Sequence, residues 1–245
     1  MKKRTDDLLI IPDVHGRKFW KNAVEMYPDV PVVFLGDYMD PYPQEGIDDA
    51  MALRNFREIM AYKQENPDSV VLLLGNHDMH YLSRSFARIA MGTRYSIAMQ
   101  PVLGEMFRHN ADSFLLAYSE LYEDTLVLFT HAGVSSDWYH SHPELLAGDM
   151  PGCLNRLMDS DEGIGALGDI GAIRGGWSAS GSVLWADVSE VMRDVALPEY
   201  YQIFGHTQQR VSPIVNRHFA CLDCRRAFLL SEVMDKAQVP SAKGG

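Results

Sequence analysis

Cationic residues are in short supply in this chain: 22 lysines and arginines stand against 33 aspartates and glutamates, a formal net charge of -11 over 245 residues. A nonspecific grip on nucleic acid draws its affinity mainly from lysine and arginine neutralising phosphates, so stable nucleic-acid binding is not expected. The deficit does not exclude small anions, because divalent cations held in a site reverse the local field. Long apolar runs are missing too. None approaches the roughly 20 residues needed to cross a bilayer, and the polar start Met1 to Asp7 leads straight into a strand-like run, so a cytoplasmic protein without membrane attachment is expected. Cysteine is scarce, and the odd set Cys153, Cys221 and Cys224 fits a reducing compartment better than a disulfide framework. Cys221 and Cys224 form half of a zinc-site pattern, but no second pair completes it, and the thiols read as buried core.

What is plentiful is core material. With 47% hydrophobic and 22% charged residues, the chain can bury a sizeable interior, and one domain over residues 1–235 with a short tail at 236–245 is expected.

Apolar runs of four or five residues recur: 8–11, 32–35, 70–74, 126–129 and, broken only by Gln202, 201–204. Between the first of them lie helical patterns, through Phe19 to Tyr27 and Met51 to Lys63, and the alternation is that of βαβ units. Further helical periodicity covers 81–90 and 99–118, and a helix is possible near 153–158. The glycine-rich stretch 163–181 reads as a loop over the site, and residues 218–231 as a terminal hairpin. The glycine-rich stretch lacks the spacing of a nucleotide-phosphate cradle.

Each strand-like run ends in polar residues. In order these are Asp13 and His15, Asp37 and Asp40, Asn76 and His77, His131, and His206. Singly, each is an ordinary turn former or a structural histidine. Five successive strand ends carrying such groups are a different matter, because a parallel-type sheet brings those ends to one rim. Carboxylates, imidazoles and an amide oxygen make a ligand set that suits Mn²⁺, Fe or Zn²⁺. Three aspartates crowded together without a cation would also be forced upward in pKa at a cost in stability.

The segments Asp13-Val14-His15-Gly16, Gly36-Asp37-Tyr38-Met39-Asp40, Gly75-Asn76-His77-Asp78, His131-Ala132-Gly133 and Gly205-His206-Thr207 resemble, in order, the motifs of the calcineurin-like metallophosphoesterases. The resemblance runs from residue 8 to about 230. It looks strongest to the phosphoprotein phosphatase branch, which includes bacterial Ser/Thr phosphatases and symmetrical diadenosine tetraphosphate hydrolases. It implies an α/β fold, a four-layer α/β/β/α sandwich of two mixed sheets. It also implies that Asp13, His15 and Asp37 hold one metal and that Asp37 bridges to a second held by Asn76, His131 and His206.

Such a pair of cations can share a hydroxide that attacks the phosphate ester. His77 is then the candidate acid for the leaving alkoxide, and the resemblance implies that Asp40 orients it. The chain departs from the branch in three places. Gln208 stands where many relatives carry a further histidine, Asp78 stands for the usual glutamate, and Asp40-Pro41 stands where an aspartate is followed by a phosphate-clamping arginine. Arg174, beside Gly175 and Gly176, and Arg17, just after Gly16, are candidate replacements. Tyr38 and Trp177 are possible cleft residues, whereas His80, His109, His218 and the His140/His142 pair read as structural or surface.

The expected activity is hydrolysis of phosphomonoesters, on a phosphorylated small molecule or a phosphoprotein such as a Ser/Thr phosphatase would take. Dinucleoside polyphosphate hydrolysis is the alternative. A catalytically inactive protein-binding scaffold is disfavoured because all six ligand positions are intact, and a nuclease is disfavoured by Gln208 and the acidic surface.

Overall fold

A short all-apolar strand can bury both of its faces only between two other layers, and the computed structural model, which describes residues 7–90 and 93–238, gives each of these runs that setting. Strands β1 (Leu9–Ile11), β2 (Val32–Phe34), β3 (Val70–Leu73) and β4 (Phe114–Leu115) run parallel. The second sheet uses β5 (Ala117–Tyr122), β6 (Thr125–Thr130), β7 (Tyr200–Phe204), β8 (Ile214–Val215) and β9 (Phe219–Cys221) in the order β5-β6-β7-β9-β8. Its centre, β6, β7 and β9, is parallel and its edges are antiparallel. Strand β10 (Phe228–Leu229) closes the first sheet by pairing antiparallel with β1.

The pleat sends alternate residues to opposite layers. Ile10, Val33, Leu35 and Leu73 of the first sheet meet Val127, Phe129, Ile203 and Ala220 of the second in one apolar cluster, so the sheets lie face to face. Leu9, Ile11, Phe34 and Leu72 point the other way. They pack with Trp20 of α1 (Phe19–Met26) and with Phe56 and Ile59 of α2 (Asp49–Glu65). On the far side of the second sheet, Phe204, Phe219 and Cys221 pack with Val188 and Val191 of the helix Val188–Val191. Helix, sheet, sheet and helix thus make the four layers, with both sheets mixed, as the motifs implied. No helix among the described residues is long and apolar enough to cross a membrane.

Several local expectations give way to the tertiary setting. The helical pattern at 99–118 ends at His109, and the chain then forms β4 and β5. Strand β5 is an edge strand exposed on one side, so its polar residues hide the apolar alternation. Residues 218–231 are not a hairpin: β9 and β10 belong to different sheets, and the segment between them crosses from one sheet to the other. The stretch 163–181 is only partly loop, since a helix covers Asp161–Leu167. A terminal helix, Leu230–Gln238, occupies the start of the expected tail, and residues 239–245 lie outside the described residues.

Candidate metal centre

Five parallel strands, three from the first sheet and two from the second, end on the same rim. Beyond β1 come Asp13 and His15, beyond β2 Asp37 and Asp40, beyond β6 His131, and beyond β7 His206. Strand β3 leads directly into α3 (Asn76–Leu82), whose first two residues are Asn76 and His77. Four of these residues hold left-handed backbone: His15 (φ 44), Asp37 (φ 54), Asp40 (φ 57) and His206 (φ 60). Such conformations cost roughly 1–3 kcal/mol each and persist where the surroundings over-determine them, commonly at functional sites.

The surroundings do so here. Asp78 accepts three backbone N–H bonds, from Gly75 and Asp37 at 2.8 Å and from Tyr38 at 3.0 Å, and so ties the ends of β2 and β3 together. The departure at position 78 therefore has a clear use. Asp37 Oδ1 accepts the N–H of His77 at 3.0 Å, and both oxygens of Asp13 accept the N–H of His206 at 3.0 Å.

The imidazoles are oriented in the same way. His15 Nδ1 donates to the Met39 carbonyl at 2.8 Å, and its Nε2 then faces Asp37 Oδ2 at 3.4 Å. His131 Nδ1 donates to the Leu35 carbonyl at 2.8 Å, leaving Nε2 aimed at Asn76 Oδ1 (3.0 Å), His206 Nδ1 (3.1 Å) and Asp37 Oδ2 (3.6 Å). With Nδ1 protonated, Nε2 of each ring presents a lone pair. Lone pairs facing oxygens and another ring nitrogen at these separations repel unless a cation lies among them. Ligand bonds of about 2.0–2.2 Å set neighbouring donor atoms about 3 Å apart. Two groups of donors result, Asp13 with His15 and Asp37, and Asp37 with His131 and His206, the second beside Asn76. They share Asp37. The donor set fits two divalent cations.

Electrostatics agree. Burial pushes the Asp13 carboxyl above its ordinary range against the pull of His131, and Asp37 adds to the rise. For Asp37 burial also pushes upward, but the four surrounding imidazoles outweigh it and hold the group low. Burial drives His15 and His206 well below the usual imidazole range, His206 with help from Arg174. Neutral imidazoles are the state a cation requires of its ligands, and a cation at Asp13 would take the place of the proton that burial favours there.

Next to the ligand groups, His77 Nδ1 is 2.6 Å from Asp40 Oδ2, and the Tyr81 hydroxyl donates to Asp40 Oδ1. The two arginines singled out in the sequence are both engaged by carboxylates. Arg17 makes a two-pronged pair with Glu45 at 2.7 and 3.1 Å, and Arg174 contacts Asp187 at 3.1 Å and Thr207 Oγ1 at 2.7 Å. Tyr38 is packed in the core and donates to the Leu73 carbonyl, so it is not a cleft residue, whereas Trp177 is fully exposed. His142 pairs with Asp169 at 2.8 Å.

Two further residues emerge from the structure. Asp223 lies just beyond the end of β9, buried, its carboxyl pushed up to about 8 by burial and by the charge of Asp13. Its signal was available, since Phe219 to Leu222 is another apolar run ending in an aspartate. Arg94 stacks on Tyr42 and reaches His15, and nothing in the aperiodic stretch around it marks it out. His80 is completely buried, neither ring nitrogen has a hydrogen-bond partner, and burial pushes it down to about 3.

Comparison with known proteins gives one family, described as calcineurin-like phosphoesterase, which matches residues 7–209. Among solved structures, a protein serine/threonine phosphatase from Saccharomyces cerevisiae, described as similar to human phosphatase PP5, is 14% identical with a TM-score of 0.50; 88% of this chain matches, spanning only 66% of that chain's length. A cold-active protein tyrosine phosphatase is 15% identical with a TM-score of 0.55, over 91% of this chain and 73% of that one. At such identities the likeness is one of fold.

Proposed function

The chain belongs to the calcineurin-like phosphoesterase family and is a metal-dependent phosphoesterase, and from that premise we propose that it hydrolyses phosphomonoesters, with a phosphoprotein among the candidate substrates. The observation that carries the reading is the position of Asp37 Oδ2, 3.4 Å from His15 Nε2 and 3.6 Å from His131 Nε2, common to both donor groups.

In this reading Asp13, His15 and Asp37 hold one cation, and Asp37, Asn76, His131 and His206 hold the other. Manganese, iron or zinc all suit the donors. Bound there, the pair would acidify water and offset the charge of the phosphoryl oxygens. The chain's own residues do the rest. His77 gives a proton to the departing alkoxide, and Asp40 keeps its Nδ1 protonated so that Nε2 is the nitrogen turned to the substrate. Tyr81 holds Asp40 in turn. The likeness in fold to two protein phosphatases supports a phosphoprotein substrate. The three unpaired cysteines support a cytoplasmic setting.

Dinucleoside polyphosphate hydrolysis is the second reading, favoured by one observation. The fully exposed ring of Trp177 stands three residues from Arg174, which contacts Thr207 beside His206, and such a ring can stack on a base. The test is turnover, with Mn²⁺, of a phosphopeptide and nitrophenyl phosphate, followed by the phosphate released, beside diadenosine tetraphosphate, followed by the adenine nucleotides formed. Turnover of the monoesters well above the dinucleotide is expected, and the reverse order selects the second reading. No turnover of any ester with two metals bound would sink both.

A further inference from the structure

We propose that Arg94 is the phosphate clamp of this chain, binding the substrate's phosphoryl group from the side of Asp13, His15 and Asp37, in the part that Pro41 cannot play; this rests on the phosphoesterase reading above. Its position is the first reason. A terminal nitrogen of the guanidinium lies 3.3 Å from His15 Nε2, the ring nitrogen that faces Asp37 Oδ2. A phosphoryl group bound at those donors comes within its reach.

The second reason is preorganisation. Arg94 Nε donates to the Asp40 carbonyl at 2.8 Å, and the guanidinium carbon sits 3.7 Å from the centre of the Tyr42 ring. These contacts fix the plane of the group through one edge and one face, and leave terminal N–H groups for an anion. A guanidinium so held loses little entropy on gripping two phosphate oxygens at once.

The third reason is charge balance. Arg17 is bound by Glu45 and Arg174 by Asp187, whereas among the described residues no carboxylate forms an ion pair with Arg94. Its counter-charge is left for the substrate to bring. Position also couples the clamp to the proton donor. Ser96, two residues on, donates its N–H to the Tyr81 hydroxyl, which in turn holds Asp40.

The test is titration of inorganic phosphate into the Mn²⁺-loaded protein by calorimetry, with metal content measured on the same samples, for the parent chain, Arg94→Gln, Arg94→Lys and Arg174→Gln. Arg94→Gln should bind phosphate roughly 10- to 100-fold more weakly, the worth of a charge-assisted hydrogen bond or two. Its two metals should stay in place. Arg94→Lys should fall between, and millimolar guanidinium should restore part of the affinity and of the KM for nitrophenyl phosphate in Arg94→Gln. Phosphate affinity within about twofold of the parent overturns the proposal, as does loss of metal together with phosphate, or a larger loss in Arg174→Gln. The titration needs no turnover, so a chain that binds phosphate through Arg94 yet cleaves no ester would refute the phosphoesterase reading and leave the clamp standing.

Discussion

His77 Nδ1 and Asp40 Oδ2 are 2.6 Å apart, and both side chains are buried. The pair fixes the tautomer of the ring, so that the other nitrogen is free to donate or receive a proton at the substrate. If that proton goes to the leaving group, its value depends on how badly the leaving group needs it. His77→Asn should slow an alkyl phosphate roughly 10²- to 10⁴-fold and nitrophenyl phosphate, whose leaving group is acidic, much less. Steady-state kinetics on the two esters decide the matter, and equal losses on both would rule out the proton-donor role.

Gly205 leaves room for a carboxylate of the centre. A methyl group added there would stand 2.0 Å from Asp13 Oδ2, so Gly205→Ala must displace a carboxylate that His206 N–H holds from the other side. Displacement of such a supporting contact lowers metal affinity roughly 10- to 100-fold. Metal titration of the folded variant is the check, and unchanged affinity would show that Asp13 is not a ligand.

Much of this was legible in the sequence, and the reasons are physical. Asp13, Asp37 and His131 each follow an all-apolar run that reads as a buried strand, His206 follows one broken only by Gln202, and parallel strands bring their ends together. Asp223 obeys the same rule, but the arginines and second cysteine after it imitate a hairpin turn, and so it was passed over. Arg94 was invisible for another reason. Its role comes from contacts with Tyr42, Asp40 and His15, between 52 and 79 positions away, and its own neighbours carry no periodicity. Strand β4 and the first two residues of the edge strand β5 fell within the helical pattern at 99–118, because only packing in the sheet, not composition, makes them strands.

Asp223 supplies a pH-dependent prediction for the metal-free protein. Its carboxyl is pushed from 3.8 up to about 8 in the folded chain, by burial first and by Asp13 second. Folding therefore favours the protonated form. The contribution is fully present below pH 3.8 and is lost as pH rises to about 8. Asp223→Asn imitates the protonated group, so its stability relative to the parent should grow from near zero at pH 4 to a clear gain at pH 8. Urea denaturation with chelator present measures this. A difference independent of pH would mean that Asp223 ionises normally in the folded state.

The central claim is that Asp37 joins two cations, and electron paramagnetic resonance of the Mn²⁺-reconstituted protein, with metal counted on the same sample, tests it most directly. The account predicts two manganese ions per chain with an exchange-coupled spectrum, replaced by isolated-ion signals in Asp37→Asn. One ion per chain, or two that give only isolated signals in the parent protein, would contradict it.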